Sequence, residues 1–347
     1  MKISNMRWGG TLPVNCLLCG NTATPTGVNV SGYQESQTFA IYHCRNCNTS
    51  FSIPRCDANY IYELIYRHGD KVRYYDRYYK YFNEVKEQEH PLQYLAESEV
   101  TYWGIKDFLS KIEKPKELVT IIEVGCGLGY LTYSLKKEGY NVIGIDISKN
   151  AVEKAIEKFG NHYVCVDVNE YAKEHKDEYD IIISTEVIEH IEKPIIILKS
   201  FMYMLKQDGK ILLTTPNKTI FKKNAIWRTD LPPVHIWWFS EKSIKYIASQ
   251  IDAEVDYINY SDYYSKKPDY IDLSSPVDDQ SAVFNKDGGL IRTYNEDIKN
   301  KDSGFKRSKT FLKKLPFFKY FYIKFIKNNF ICKKRGYVLG IILQKRT

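Results

Sequence analysis

The sequence lacks any uninterrupted apolar run approaching the ~18 to 20 residues that would span a bilayer. Its opening residues, Met1-Lys2-Ile3-Ser4-Asn5, also lack the apolar stretch of a secretory leader. A cytoplasmic chain is the expectation. Acidic residues are scarce in one region only: from Lys301 to Thr347 a single acid, Asp302, stands against 14 Lys and Arg. The net charge of +8 therefore belongs to the carboxy-terminal segment and says little about the partners of the body. Apolar residues are not lacking. They make up 44% of the 347 positions, against 27% charged, which excludes disordered and fibrous classes and leaves room for one or two packed domains.

Eight cysteines in a cytoplasmic chain are not a disulfide framework by default, and their spacing decides. Cys16-Leu17-Leu18-Cys19-Gly20 and Cys44-Arg45-Asn46-Cys47-Asn48 are two C-x-x-C knuckles, the spacing of a zinc ribbon. Four thiolates leave no open coordination position, so Cys16, Cys19, Cys44 and Cys47 predict a structural zinc. The Gly or Asn after each knuckle suits a left-handed backbone. His43 reads either as a solvated loop histidine or as an alternative ligand, and Cys56, Cys126, Cys165 and Cys332 as ordinary thiols.

Tyr60 to Phe82 is dense in tyrosine: Tyr60, Tyr62, Tyr66, Tyr74, Tyr75, Tyr78, Tyr79 and Tyr81. Such a stretch can wall a sugar or base site or pack linker helices onto the next domain. A helix is expected over Ala96 to Ile112. From Leu118, β-branched runs alternate with amphipathic stretches, which predicts a parallel sheet covered by helices. The candidate strands are Thr120–Val124, Val142–Asp146, Tyr163–Val166, Ile181–Ser184 and Lys210–Thr215, followed by a helix over Glu241–Gln250. The first strand runs into Glu123-Val124-Gly125-Cys126-Gly127-Leu128-Gly129-Tyr130, where glycines let a ligand approach the main chain. Tyr130 occupies the place of the third glycine of a nicotinamide fingerprint. Asp146 and Asp167 close the second and third strands, as ligand carboxylates or as caps of the helices that follow.

With Glu123-x-Gly-x-Gly-x-Gly, Gly144-Ile145-Asp146-Ile147-Ser148, Glu186-Val187-Ile188-Glu189-His190-Ile191, Leu205-Lys206-Gln207-Asp208-Gly209-Lys210, Thr215-Pro216-Asn217 and His235-x-x-x-Phe239-Ser240, the chain resembles the class I S-adenosylmethionine-dependent methyltransferases. It looks most like the branch related to ubiquinone-biosynthesis O-methyltransferases, whose members in surface-polysaccharide clusters often carry an amino-terminal zinc ribbon. The resemblance covers Cys16 to Phe239. It implies an α/β, Rossmann-like sheet of seven strands behind a small ribbon. Gly125, Gly127 and Gly129 would line the methionine moiety, Asp146 the ribose and Asp167 with Val168 the adenine, with Glu123, Ile147 and Glu186 completing the cofactor site. The expected organisation is a ribbon over 1–55, an aromatic helical cap over 56–117, the core over 118–262, an insertion and basic aromatic segment over 263–335, and a final antiparallel edge strand over 336–347.

Methyl transfer from a sulfonium needs alignment first and a proton acceptor second. His190, beyond the fourth strand, reads as that base or as a scaffold residue, and Glu186 four positions earlier shares its face if the segment is helical. His235 lies in the loop Leu231 to Ser240, whose Trp237 and Trp238 could wall a pocket. Zinc-ribbon sugar C-methyltransferases carry His-Glu-His-x-x-Tyr-Phe-Ser there. Here Pro233 and Val234 precede His235, which argues against carbon methylation and leaves His235 as a base for an oxygen acceptor.

The function expected is methylation of a sugar or of a sugar-linked or phosphorylated small molecule, such as a nucleotide-sugar, in surface-glycan synthesis. A sugar C-methyltransferase, an RNA methyltransferase using the ribbon and a non-catalytic zinc-ribbon interaction protein are the alternatives. The segment Ser184-Thr185-Glu186 lacks the Asn/Asp-Pro-Pro-aromatic turn of amine methylation, which weighs against nucleic acid as a partner. Phe311 to Phe330, with interleaved lysines, fits an anionic membrane surface or a helical cover for the sheet. Oligomeric state is left open.

Overall fold

The computed structural model describes residues 12–72, 75–220, 230–266, 282–291 and 336–346. The segment Phe311 to Phe330 and Cys332 lie outside the described residues. The ribbon contributes strands β1 (Val14–Asn15), β2 (Thr22–Ser31), β3 (Thr38–Cys44) and β4 (Ser50–Ile53). Helices α1 (Asn59–His68), α2 (Asp76–Glu84), α3 (Pro91–Ser98) and α4 (Val100–Leu109) follow. The core then runs β5 (Thr120–Val124), α5 (Tyr130–Lys137), β6 (Asn141–Asp146), α6 (Lys149–Phe159), β7 (Tyr163–Cys165), α7 (Val168–Ala172), β8 (Tyr179–Thr185), α8 (Pro194–Met204) and β9 (Leu205–Pro216). A two-residue strand β10 (Trp237–Trp238), α9 (Glu241–Gln250), β11 (Ala253–Tyr257), α10 (Ser261–Lys266) and β12 (Val338–Lys345) complete the described elements. No helix among the described residues is long and apolar enough to cross a membrane.

Seven strands pair in the order β11-β12-β9-β8-β5-β6-β7. Neighbours from β9 to β7 are parallel, while β12 is antiparallel to both β9 and β11. Successive residues serve opposite faces: Ile182 joins one core cluster, and Ile181 and Ile183 join the other. Both faces are therefore covered, as a parallel sheet requires, and each fully buried Ile contributes about 1.5 to 3 kcal/mol. Side-chain caps start three helices: Asp167 caps α7, one of its two expected roles, while Ser148 rather than Asp146 caps α6, and Ser240 with Ser243 forms a capping box on α9.

Three expectations are corrected. The last strand is not an edge: β12 is inserted between β9 and β11, and β11, absent from the candidate strands, is the edge. Val338, Leu339, Gly340 and Ile341 are all buried, the mark of a strand covered on both faces, whereas Glu254, Val255 and Asp256 of β11 are not. The helix expected over Ala96 to Ile112 is two helices, α3 and α4, broken at Glu99, whose backbone is extended. The Glu99 carboxylate accepts from the Tyr81 hydroxyl at 2.8 Å and pairs with Arg77 Nε at 3.0 Å, contacts that hold the break. Finally, the segment after β9 is not wholly a loop, because β10 adds to the ribbon sheet in the order β1-β2-β3-β4-β10.

Candidate active site

The glycine turn closes β5 and aims its amides at the carboxyl edge of the sheet. Gly127 N–H donates to Asp146 Oδ2 at 2.8 Å, and Ser148 N–H donates to Asp146 Oδ1 at 2.7 Å. Burial pushes the Asp146 carboxyl upward, and these two N–H groups oppose that shift. Gly127, at φ 50°, faces open space bounded by the Tyr66 hydroxyl, 3.9 Å from where a Cβ would stand. Gly129, at φ 77°, is closed instead: a Cβ there would sit 2.5 Å from the Tyr163 ring and 2.7 Å from Ala155. Gly129→Ala should therefore displace the turn, lowering S-adenosylmethionine affinity at least ~10-fold on top of the usual left-handed penalty of ~1 to 2 kcal/mol. Isothermal titration checks this, and an unchanged affinity would contradict it.

The residues fit the adenosyl group. Asp146 stands at the end of β6 with its neighbour Ile147 75% exposed, an apolar side chain that a stacked base would cover. Val168 is 8% exposed at the start of α7. Asp167 does cap that helix, accepting from Asn169 N–H and Glu170 N–H at 2.8 and 3.3 Å. Glu123 differs: it is 3% exposed beneath the turn, hydrogen-bonded by the Thr132 hydroxyl, with its pKa pushed up to about 8 by burial. It supports the turn from below. Val187 lies against Gly125, where a Cβ would meet it at 2.5 Å.

Glu186 and His190 do not share the helical face expected of them. β8 ends at Thr185, Glu186 sits at φ 52°, Ile188–His190 is one 3-10 turn, and α8 begins only at Pro194. His190 Nδ1–H donates to the Val234 carbonyl at 2.8 Å, which leaves Nε2 with its lone pair and places it 3.9 Å from Glu189 Oε1. The His235 ring stands edge-on, 4.4 Å away between ring centres. Burial lowers His190 to about 4 and, with His190 beside it, holds His235 well below the usual imidazole range. Both rings are neutral at pH 7.

Glu189, fully buried, accepts from Thr215 Oγ1 at 3.0 Å through Oε2, while Oε1 has no hydrogen-bond partner. Glu186 Oε1 and His235 Nδ1 are also buried without one. Burial raises both carboxyls, Glu186 to about 7, and Glu186 adds repulsion at Glu189. One ligand atom from each of Glu189, His190 and His235 lies within 4.8 Å of the others. Two imidazoles and a carboxylate at that spacing suit a divalent cation. Glu189 is a residue that the sequence pattern alone does not single out. Its place three residues after Glu186 and next to His190 was the available signal.

Tyr62 and Tyr66 join the two halves. They lie four apart on α1, so they share a face. Tyr66 stands over Gly127, and Tyr62 packs edge-on to His190 with ring centres 6.2 Å apart. The turn and the histidine pair thus lie under one face of α1. Of the other tyrosines, Tyr81 is core and Tyr60 is exposed. Trp237 and Trp238, 1% and 4% exposed, are core rather than pocket wall.

The four-cysteine cluster fits zinc. Cys16 Sγ and Cys47 Sγ are 3.7 Å apart and Cys19 Sγ and Cys44 Sγ 3.6 Å, close to the ~3.8 Å edge of a tetrahedron with Zn–S bonds of ~2.3 Å. Gly20 and Asn48 take the left-handed backbone expected after each knuckle, with φ of 74° and 57°. His43 is neither a loop residue nor part of the cluster: it lies in β3, and its Nδ1 accepts from Lys218 Nζ at 2.8 Å.

A family model described as Methyltransferase domain matches residues 94–258. The ubiquinone biosynthesis O-methyltransferase of Hydrogenovibrio crunogenus is 33% identical over 105 residues, covering 28% of this chain and 43% of that protein. That of Pelagibacter ubique is 30% identical over 120 residues, covering 33% and 50%. The chain thus spans about half the length or less of the curated relatives it matches. A solved SAM-dependent methyltransferase from Archaeoglobus fulgidus is similar at 17% identity and a TM-score of 0.45, over 77% of this chain and 100% of that one. The glycine turn, the strand-end acids and the seven-stranded order agree with the family match, and over residues 94–258 this chain is a class I S-adenosylmethionine-dependent methyltransferase domain.

Proposed function

We propose that the protein methylates a hydroxyl oxygen of a sugar or of a sugar-linked small molecule, using S-adenosylmethionine. The observation that carries this reading is the shared face of α1, whose Tyr66 stands over the glycine turn and whose Tyr62 packs on His190 of the Glu189, His190 and His235 cluster, with Glu186 near Glu189; the space beneath that face is the proposed methyl-transfer cleft. The activity for which the curated relatives are named, O-methylation, supports oxygen as the atom. The sugar rests on the tyrosine-rich wall and on the resemblance to ribbon-bearing methyltransferases of surface-glycan clusters.

When bound, the cofactor supplies a sulfonium-linked methyl group. Asp146 and the turn amides orient the adenosyl end, Tyr66 covers Gly127, and the neutral histidines face the acceptor. Two roles are open to His190 and His235. As bases, the Nε2 lone pair of His190 would take the hydroxyl proton. As ligands, Glu189, His190 and His235 would hold a divalent cation that lowers the hydroxyl pKa, with Glu186 beside them. Three buried polar atoms without hydrogen-bond partners, among them His235 Nδ1 at 4.0 Å from Asp230 Oδ1, favour the second role, since an unsatisfied buried carboxylate oxygen costs about 1 to 3 kcal/mol or more. The His190 Nδ1–H bond to a carbonyl is also the usual way a ligating imidazole is oriented.

Incubation with methyl-labelled cofactor and a panel of nucleotide-sugars, catechols and bulk RNA, with and without Mg²⁺ or Mn²⁺, tests the proposal. Label on a sugar hydroxyl is expected. Label on RNA or on a catechol alone would overturn the acceptor class, and no label anywhere would overturn the activity.

A further inference from the structure

We infer that the four-cysteine ribbon is a positioning element of the methyl-transfer cleft, fixing the backbone that carries Val234 and His235. This inference rests on the reading of that cleft just given. A ribbon serving only to recruit a partner would have its own core and few bonds to the site. Here Cys16, Cys44, Cys47 and Phe51 share one apolar cluster with Ile122, Ile182 and Trp237 of the catalytic half.

The main chain makes the link specific. β4 starts three residues after Cys47 and pairs antiparallel with β10, Phe51 opposite Trp237 and Ser50 opposite Trp238. Ser52 N–H donates to the Ile236 carbonyl at 3.3 Å, and Ile236 N–H in turn donates to the Glu189 carbonyl at 3.0 Å. From the β2–β3 connection, Tyr33 N–H donates to the Pro232 carbonyl at 3.2 Å. Residues 232–238 are therefore clamped, with ribbon strands on one side and the Glu189–Ile191 turn on the other, where Trp237 Nε1–H donates to the Ile191 carbonyl at 2.8 Å.

Side chains reinforce the seam. The Arg55 guanidinium stacks 4.3 Å over the Trp237 ring, and Lys218, just beyond β9, donates to His43 Nδ1 and to the Asn48 carbonyl at 3.0 Å. Asn48 directly follows the second knuckle. Closing the knuckle on zinc thus fixes β4, β4 fixes β10, and His235 lies two residues before β10.

The test uses the full chain in two altered forms: one stripped of zinc by a chelator, and one carrying Ser52→Pro, which removes the donor to Ile236 and leaves the thiols and every site residue in place. Hydrogen exchange read by mass spectrometry should show peptides over 231–240 exchanging at least ~10-fold faster in both forms, with peptides over 120–146 unchanged. S-adenosylmethionine affinity should stay within ~3-fold, and turnover of Ser52→Pro should fall at least ~10-fold. Unchanged protection of 231–240 in Ser52→Pro, or lost protection with full turnover, would overturn the positioning role. Equal loss over 120–146 in both forms would also overturn it, since the ribbon would then support the whole fold. Should no acceptor be methylated by the native chain, the exchange result still stands alone and separates failure of this inference from failure of the proposed activity.

Discussion

Asp146→Ala should lower S-adenosylmethionine affinity by about 10²- to 10³-fold in isothermal titration while thermal unfolding moves by only a few degrees. Two effects add. The carboxylate is the acceptor available to a ribose diol at the end of β6, and each charge-assisted hydrogen bond contributes about 1.5 to 3 kcal/mol. It also pins the turn, because its two oxygens hold Gly127 N–H and Ser148 N–H. Asp146→Asn keeps one acceptor and turns an N–H₂ toward one of those donors, so an intermediate loss is expected. An affinity for Asp146→Ala within ~3-fold of native would mean that the cofactor does not lie along this turn.

Glu189→Gln is expected to cut turnover at least ~10²-fold with cofactor affinity within ~3-fold. The native chain treated with a chelator that spares the cysteine-bound zinc should fall to a similar level and recover with Mn²⁺ or Mg²⁺. Glu189 contacts the cluster of His190 and His235 and lies at the far end of the cleft from the adenosyl turn, so cofactor binding is the internal control. His235→Ala should behave alike, because it removes a second ligand from the same cluster. A chelated chain that keeps full turnover would remove the cation and return His190 and His235 to the role of proton acceptors. Glu189→Gln would then matter only through packing, and its loss should not exceed that of Thr215→Val, which removes the donor to the same carboxylate.

The strands β5 to β8 were legible because they are short β-branched runs that end at or just before Gly125, Asp146, Asp167 and Glu186, and α9 was legible over the span in which it forms. The knuckles were legible from spacing alone, down to the left-handed Gly20 and Asn48. What was not legible depends on partners distant in sequence. β10 is two residues long and exists only because β4 lies beside it, so no local pattern marks it. The break at Glu99 has no Gly or Pro and is held by Tyr81 and Arg77. The helical face expected to carry Glu186 and His190 together does not form. Pro194, at the first turn of α8, was the sign that the helix starts later. The tyrosines of α1 were visible as a group, yet only coordinates separate Tyr62 and Tyr66, which wall the cleft, from Tyr81, which fills the core.

The placement of β12 bears on how the protein is made. Among the described residues β11 pairs with no strand but β12, so during synthesis it waits, along with the flank of β9 that β12 covers, until residues 338–345 have left the ribosome. Until then the nascent chain exposes two sticky strand edges. A chain cut before residue 338 would leave them exposed permanently, and such a product should collect in inclusion bodies even though every residue of the cleft is present.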